Sequence, residues 1–506
     1  MAEALESKVT TLTWWTLGAL GLMVLCYLAN ALLGPLNQDE GWYLYAARLM
    51  TEGELPHKDF FFTQGKLMPA VYACFAWSWS VAGVLGGRLF TAVLSSLALL
   101  LACRTIRGVL TKATDKKVAN LVFLALTGVN LWYTYFTTIP KTYGLCTFGI
   151  ALALYLLRGR ASDQMQICAW RAALSGIVLA ALVDVRLSMG VLLPTVAIWL
   201  LCHRHVVGRL TWLVFSAAAG GTLLVLFLPE VLCWPEAFFE AQRFHAARES
   251  MGFVGVIGCL ARLLRFNPIF CFIGVLIGWT WCTERAAFKT STHAHLLFPK
   301  LWLICATTLM MVHLLAPVPY DDYLVPAVFL GAMALAVLTT ELPFDSLKNA
   351  LPKVLFLAAA ALSICASPVA QDWVIAGQDR FWVVKKPAPD IFELRKVAAQ
   401  VREAAERLGE DTIWTQDTYL AVEAGLRVPA GMEMGPFSKP TQLKSYPKLA
   451  AWSGYTYALS YPSLAPDPMS ETKLNALEKT YGRRLLTHPQ FGQGCTQLVV
   501  AERTNP

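Results

Sequence analysis

An acidic pair, Asp39-Glu40, follows directly on the first long apolar run of the chain. It stands in the stretch Asn37-Gln38-Asp39-Glu40-Gly41-Trp42-Tyr43-Leu44-Tyr45. A carboxylate at a membrane edge, set among aromatic side chains, has the chemistry of a general base towards a hydroxyl group. Asp39 is the candidate base. Glu40 is the candidate for positioning an acceptor or holding Asp39. The plainer reading makes Asp39 the N-cap of a helix beginning near Gly41, where an acidic residue also suits the macrodipole. Capping and proton transfer are compatible in one residue.

Cations at the same membrane face are the natural partners of a phosphate group. Lys66, in Gln64-Gly65-Lys66-Leu67-Met68-Pro69, and Arg186, in Asp184-Val185-Arg186-Leu187-Ser188, both fall at expected outer edges of apolar runs. Snorkelling of basic residues at span ends is the ordinary alternative, and for Arg186 a salt bridge to Asp184. In Gln242-Arg243-Phe244-His245-Ala246-Ala247-Arg248, helical spacing puts Phe244 and Arg248 on one face, and likewise His245 and Arg248. His245 and Arg248 are therefore candidates for a sugar or phosphate pocket, against the alternative of a solvated surface helix. The turn Pro319-Tyr320-Asp321-Asp322-Tyr323 offers aromatic rings for apolar sugar faces and carboxylates for hydroxyls, with Tyr320 and Asp322 as candidates. An aromatic belt at the membrane interface is the alternative there. Asp59 is a further substrate-binding candidate. His57, Asp59 and Asp39 are residue types that hold a divalent ion, but their spacing is not diagnostic. No cofactor is required by this reading, no metal ligand is assigned, and a divalent cation is left open.

The elements that must position these residues are membrane helices. The chain has 506 residues, of which 56% are hydrophobic and 15% charged, and its mean hydropathy is +0.50. Soluble domains carry about 25% charged residues. The net charge of +8 is no nucleic-acid signal, because the basic residues are scattered along the ends of apolar runs. Leu12 to Leu33 is too long for a signal-peptide core and reads as an uncleaved first span. Further candidates lie near 86–103, 118–136, 143–157, 168–184, 187–202, 210–228, 267–282, 301–316, 324–340 and 352–367, about eleven spans in all. Leu67 to Val84 is apolar too. Making it a span would put Arg104, Arg107, Lys112, Lys116 and Lys117 outside, against the positive-inside rule. It is read as a juxtamembrane or re-entrant helix ended by the Gly83–Gly87 cluster. Arg158 and Arg160, Arg204 and Arg209, Arg285 and Lys289, and Lys348 and Lys353 then all fall on the cytoplasmic side.

The expected fold is mainly α. It is a polytopic transmembrane bundle over residues 1–367, with juxtamembrane helices in the first outer loop. A small α/β domain over 368–506 stands on the extracytoplasmic side. In that tail Asp390 to Leu408 has helical spacing, Thr412 to Thr415 is a short strand candidate, and Tyr419 to Gly425 a further helix. Its one cysteine, Cys495, provides no disulfide framework.

The pattern resembles the GT-C superfamily of polytopic glycosyltransferases, and within it the bacterial branch of protein O-mannosyltransferases and lipid A aminoarabinose transferases. The Asp39-Glu40 opening of the first outer loop carries the resemblance. It extends to Arg88-Leu89 at the start of a span, Ile139-Pro140-Lys141-Thr142-Tyr143-Gly144, Tyr323-Leu324-Val325-Pro326 and Gly431-Met432-Glu433-Met434-Gly435-Pro436-Phe437-Ser438. Gln64-Gly65-Lys66-Leu67-Met68-Pro69 departs from the family's Lys-Pro-Pro-like element, lacking the adjacent prolines and an acidic residue before the lysine. The resemblance implies a polyprenyl-phosphate sugar as donor. The acceptor would be a glycan, lipid or protein, attacked in line with inversion, with Asp39 as base and Lys66 and Arg186 on the donor phosphate. It also implies a bacterial inner membrane, with the active face extracytoplasmic.

The partners expected are thus a lipid-linked sugar, its acceptor and membrane lipid, and no nucleic acid. There is no P-loop for an ATP-driven pump and no GxGxxG unit for a soluble nucleotide sugar. The alternative is a transporter or flippase for lipid-linked glycans. It fits less well, because the ionisable residues gather at outer edges rather than within spans and no repeat is visible.

Overall fold

The computed structural model describes residues 2–158, 166–246, 248–283, 296–342, 345–377, 380–384, 388–438, 447–453, 481, 483–491 and 496–503. Arg160, Arg285, Lys289 and Cys495 lie outside the described residues. The chain is mainly helical, with a small three-stranded sheet near its C-terminal end. Among the described residues six helices are long and apolar enough to cross a membrane, or seven if a bent pair counts as one span. These include Thr13–Leu33, Gly83–Val109, Thr211–Cys233 and Leu297–Leu314. The remaining apolar runs form shorter helices, among them Thr142–Leu157 and Leu187–Cys202. The protein is a multi-pass membrane protein.

The loop after the first span, expected on the outer side, is helical where expected, in shorter pieces. Leu67–Cys74 and Trp77–Ser80 are two brief helices, neither long enough to span. Gly83, at φ +57, then opens the helix Gly83–Val109. The run near 118–136 is two helices, Ala113–Leu126 and Leu131–Phe136. The Asn130 side chain accepts from the backbone N–H groups of Trp132 and Tyr133 and so starts the second. The helix Thr211–Cys233 runs past the expected end at 228 and carries Glu230 inside the fold. The long loop expected outside holds two helices, Pro235–Ala246 and Gly252–Phe266, and the latter meets the next helix at 97°.

In the tail the helix Asp390–Leu408 stops at Gly409, whose φ of +66 suits a C-cap glycine. Thr418–Ala424 is helical. Thr412 to Thr415 makes isolated bridges, Thr412 to Arg427 and Trp414 to Ala450, in place of a regular strand. Leu449–Ser453, Thr496–Glu502 and Arg483–Phe491 form an antiparallel sheet with Thr496–Glu502 in the middle.

The tail packs onto the helix Gln38–Thr51 of the first loop. Arg48 donates to the carbonyls of Leu426 at 2.8 Å and Gly425 at 3.2 Å, and the Val428 N–H donates to the Tyr45 hydroxyl at 2.9 Å. Arg427 pairs with Glu52 and Glu54. Gly41 permits the contact: a β-carbon there would lie 2.2 Å from the Tyr419 backbone nitrogen. The helix that carries Asp39 is therefore held between the bundle and the tail.

Candidate functional site

Asn37, not Asp39, caps the helix Gln38–Thr51. Its side-chain oxygen accepts the Asp39 N–H at 3.0 Å, and Glu40 closes a capping box by accepting the Asn37 N–H at 2.9 Å. That corrects the capping alternative for Asp39 and leaves its carboxylate for other partners. One oxygen accepts from the Trp42 indole N–H at 3.0 Å; the other lies 2.6 Å from the Lys141 ammonium. Lys141 also contacts Asp322 at 2.5 Å, and Asp322 accepts from the Tyr143 hydroxyl at 3.0 Å. The Asp39 side chain is 20% exposed, so its carboxylate reaches the surface of the site. Burial opposes the charge on Lys141, but Asp322 and Asp39 outweigh it and hold the ammonium's pKa well above the ordinary lysine range.

Glu40 faces away from this group. Its two oxygens meet Arg88 at 2.6 and 2.7 Å, and neither side chain is exposed. Arg88 also donates to the carbonyls of Ala31, Gly34 and Pro35, which ties the end of the first helix to the start of Gly83–Val109. Glu40 fixes the segment on which Asp39 sits.

Arg186 stands next to the Lys141 group. Its Nη1 donates to the Thr142 hydroxyl at 3.3 Å, and its guanidinium lies over the rings of Tyr143 at 5.0 Å and Tyr323 at 4.4 Å. Lys141 addresses the same Tyr143 ring at 5.2 Å. Arg186 and Arg248 line one cavity of about 180 Å³, together with Gln64, Ser188, His313 and Tyr323. Arg248 donates to the Tyr323 hydroxyl at 3.4 Å. Three buried polar atoms on this lining have no hydrogen-bond partner among the described residues: Arg186 Nε, Ser188 Oγ and His313 Nε2. Buried polar atoms are rarely left so; Arg186 Nε is a donor and the other two donate or accept, a set suited to an oxygen-rich ligand.

The other candidates fall elsewhere. Lys66 turns from the cavity: its ammonium donates to the Leu226 carbonyl at 2.7 Å and pairs with Glu230 at 3.2 Å. Glu230 also meets His57 at 3.2 Å. Asp184 accepts the Lys66 backbone N–H at 3.2 Å in place of the bridge to Arg186 that was the alternative reading. Asp59 stays within its own turn, accepting the Leu55 N–H at 2.9 Å beside Lys58. Tyr320 packs on Tyr323 with ring centroids 5.3 Å apart. His245 lies in Pro235–Ala246, and its side chain lies outside the described residues. Among the described residues no group of three or more metal-ligating side chains gathers.

The sequence reading assigned no role to Lys141, Trp42 or His313. Lys141 stood in a turn noted only for its family likeness, and His313 is a lone histidine inside an apolar run.

No family model matches the chain, and no curated protein does. Solved structures do. ArnT from Cupriavidus metallidurans bound to undecaprenyl phosphate superposes with a TM-score of 0.58 at 13% identity, over 96% of this chain and 98% of that one. The apo state of the same enzyme gives the same values. The chain shares the GT-C fold of that structure. The oligosaccharyltransferase of Archaeoglobus fulgidus in its apo form aligns at a TM-score of 0.49 and 10% identity, over 93% of this chain and 73% of that one. At such identities the likeness is one of fold. Residues of the GT-C fold here are assigned by their own geometry.

Proposed function

We propose that the protein is a glycosyltransferase that moves a sugar from a polyprenyl-phosphate donor to a hydroxyl of an extracytoplasmic glycan, lipid or protein. The observation that carries this reading is the pairing of a surface-reaching carboxylate with a two-arginine cavity across one tyrosine ring. Asp39 is held on Lys141, and Arg186, over Tyr143, opens the cavity with Arg248. The bound undecaprenyl phosphate of the ArnT structure supports a lipid-phosphate ligand for the fold.

In this mechanism the acceptor oxygen attacks the anomeric carbon as the bond from that carbon to the phosphate oxygen breaks. The acceptor proton passes to Asp39. The electron pair leaves with the phosphate, which gains a negative charge facing Arg186 and Arg248. Two guanidiniums stabilise that developing charge more than the donor's single charge, and so act on the transition state. In-line attack inverts the anomeric configuration. Lys141 and Trp42 orient the base; no step passes through a metal. The reading keeps residues 1–367 as a membrane part of about eleven crossings and 368–506 as an outer region, in a bacterial inner membrane.

The test is transfer of label from a panel of radiolabelled polyprenyl-phosphate sugars to membrane extracts, with wild type beside Asp39→Asn. Transfer by wild type that vanishes in an inserted, folded Asp39→Asn is the expected result. Full activity in the variant removes Asp39 from the base role. No transfer from any donor counts against the reading.

A further inference from the structure

We infer that the cavity accepts a lipid-linked sugar bearing hydroxyl groups and no cationic amino group, and that His313 reads one of those hydroxyls. The inference rests on the donor-lipid reading above and specifies its substrate class.

The charge inventory of the lining comes first. Arg186 and Arg248 bring two positive charges to the cavity, and no carboxylate is among the described residues that line it. Three of the acids around it are held by cations, and Asp184, two residues from Arg186, accepts the Lys66 N–H and is not part of the lining. Asp39 and Asp322 share the Lys141 ammonium at 2.6 and 2.5 Å, and Asp321 pairs with Arg262 at 2.9 Å. A donor phosphodiester brings one negative charge, which leaves the cavity with no surplus for a second cation. An ammonium on the sugar would enter a half-closed space beside two guanidiniums, with no carboxylate on the described lining to meet it. Like charges brought together in such surroundings disfavour binding strongly.

The uncharged polar groups come second. The His313 side chain is 3% exposed and its ring packs on Tyr323 at 5.6 Å, so its direction is fixed. Its Nε2 has no partner among the described residues, and neither has the Ser188 hydroxyl; both residues line the cavity beside Gln64. An imidazole nitrogen, a hydroxyl and a carboxamide each donate or accept, according to tautomer or rotamer. Sugar hydroxyls do both as well. A guanidinium only donates and so serves the phosphate. The lining thus divides into a phosphate-binding pair and a hydroxyl-reading set. A buried group left unpaired by the wrong ligand is the usual source of strong discrimination.

The experiment uses the full-length protein in nanodiscs and three probes: a short-chain prenyl phosphate, its glucose ester, and the same ester with one hydroxyl replaced by an amine. Binding is measured by competition, and transfer alongside it. The glucose ester is expected to bind about tenfold or more tightly than the amine ester at neutral pH, a factor of ten corresponding to about 1.4 kcal/mol. The gap should narrow as pH rises and the amine loses its proton. His313→Ala should weaken the glucose ester several-fold and leave the bare prenyl phosphate unchanged, with partial recovery in His313→Gln. Equal or tighter binding of the amine ester overturns the inference while the donor-lipid reading stands. Equal weakening of bare phosphate and glucose ester in His313→Ala makes His313 a phosphate or packing residue and overturns its role. Failure of all three probes to bind overturns the donor-lipid reading, and this inference with it.

Discussion

Glu40 meets Arg88 through both carboxylate oxygens, at 2.6 and 2.7 Å, with neither side chain exposed. The acidic pair Asp39-Glu40 is thereby split in function. One member reaches the site; the other joins three helices. Removing one partner of a buried pair leaves the other charge uncompensated, at about 3–5 kcal/mol. Glu40→Gln and Arg88→Ala should each lower thermal stability in detergent by that order, with activity falling in step with the folded fraction. A variant that keeps its melting temperature and loses activity would place Glu40 in the chemistry instead.

Lys66 and Arg186 are both candidates for a phosphate in the sequence, and the fold separates them. Lys66 pairs with Glu230 and donates to the Leu226 carbonyl, whereas Arg186 lines the cavity with an unpartnered Nε. Arg186→Ala should raise the donor KM by about tenfold or more, since hydrogen bonds from charged groups contribute about 1.5–3 kcal/mol. Lys66→Met should leave the donor KM within about twofold while costing about 1–3 kcal/mol of stability through the loosened Glu230. Donor titrations on both variants decide it; a large donor effect in Lys66→Met would return the lysine to the phosphate.

Lys141 is the cation shared by Asp39 and Asp322. Without it two carboxylates face each other across a nearly dry space, and the orientation of Asp39 is lost. Lys141→Met should reduce kcat by about a hundredfold, in the range seen when one electrostatic group of an active site is removed. Donor KM should move far less, because Arg186 and Arg248 remain. Steady-state kinetics on membranes with matched protein content give the split.

How much of this was legible in the sequence follows from what each residue type reveals by itself. Asp39 and Arg186 are charged and stand at the ends of apolar runs, and Arg248 follows Phe244 and His245 at helical spacing, so one-dimensional patterning finds them. Asp390–Leu408 emerges at its expected bounds because it is an amphipathic helix closed by a glycine. The Lys141–Asp322 contact spans 181 positions, and no local pattern encodes it. His313 is silent for another reason: one histidine in an apolar helix carries no spacing, and only the cavity gives it a context. Glu230 was missed because the helix Thr211–Cys233 continues beyond its most apolar part, through Pro229. The run near 118–136 was read as one helix because Asn130, which breaks it, looks like a tolerated polar residue until its side chain is seen capping the second helix.

The Glu433 carboxyl in the tail has its pKa raised from its ordinary value, first by burial and despite the Gly431 N–H it accepts at 2.8 Å. A folded value above the unfolded one means that this group's contribution to stability is fully present below about pH 4.3, the ordinary glutamate value. It is lost as pH rises through the folded value. Glu433→Gln should therefore protect the segment around Gly431–Ser438 at neutral pH and flatten the pH dependence of its hydrogen exchange. Exchange that slows with rising pH in wild type, once corrected for intrinsic rates, would contradict this.

Phe437 is one tail residue that touches both halves of the site. Its ring lies 5.9 Å from Trp42, whose indole N–H holds Asp39, and the Arg248 guanidinium lies over it at 5.6 Å. A third neighbour, Phe244, is 5.6 Å away. Aromatic pairs contribute about 0.5–1.5 kcal/mol each beyond burial, and an arginine–ring contact about 0.5–1 kcal/mol. Losing these from Phe437→Ala frees Trp42 and Arg248 together, so both kcat and donor affinity should fall, by about tenfold in kcat/KM. The main clamp of the tail, Arg48 on the Leu426 carbonyl and Arg427 on Glu52, does not involve Phe437 and should keep the tail docked. Phe437→Trp restores a ring over Arg248 and should recover most of the loss, which a general packing defect would not permit. Activity of Phe437→Ala equal to wild type would mean that the tail contributes only its docking face, and that Trp42 and Arg248 are held from the membrane side alone.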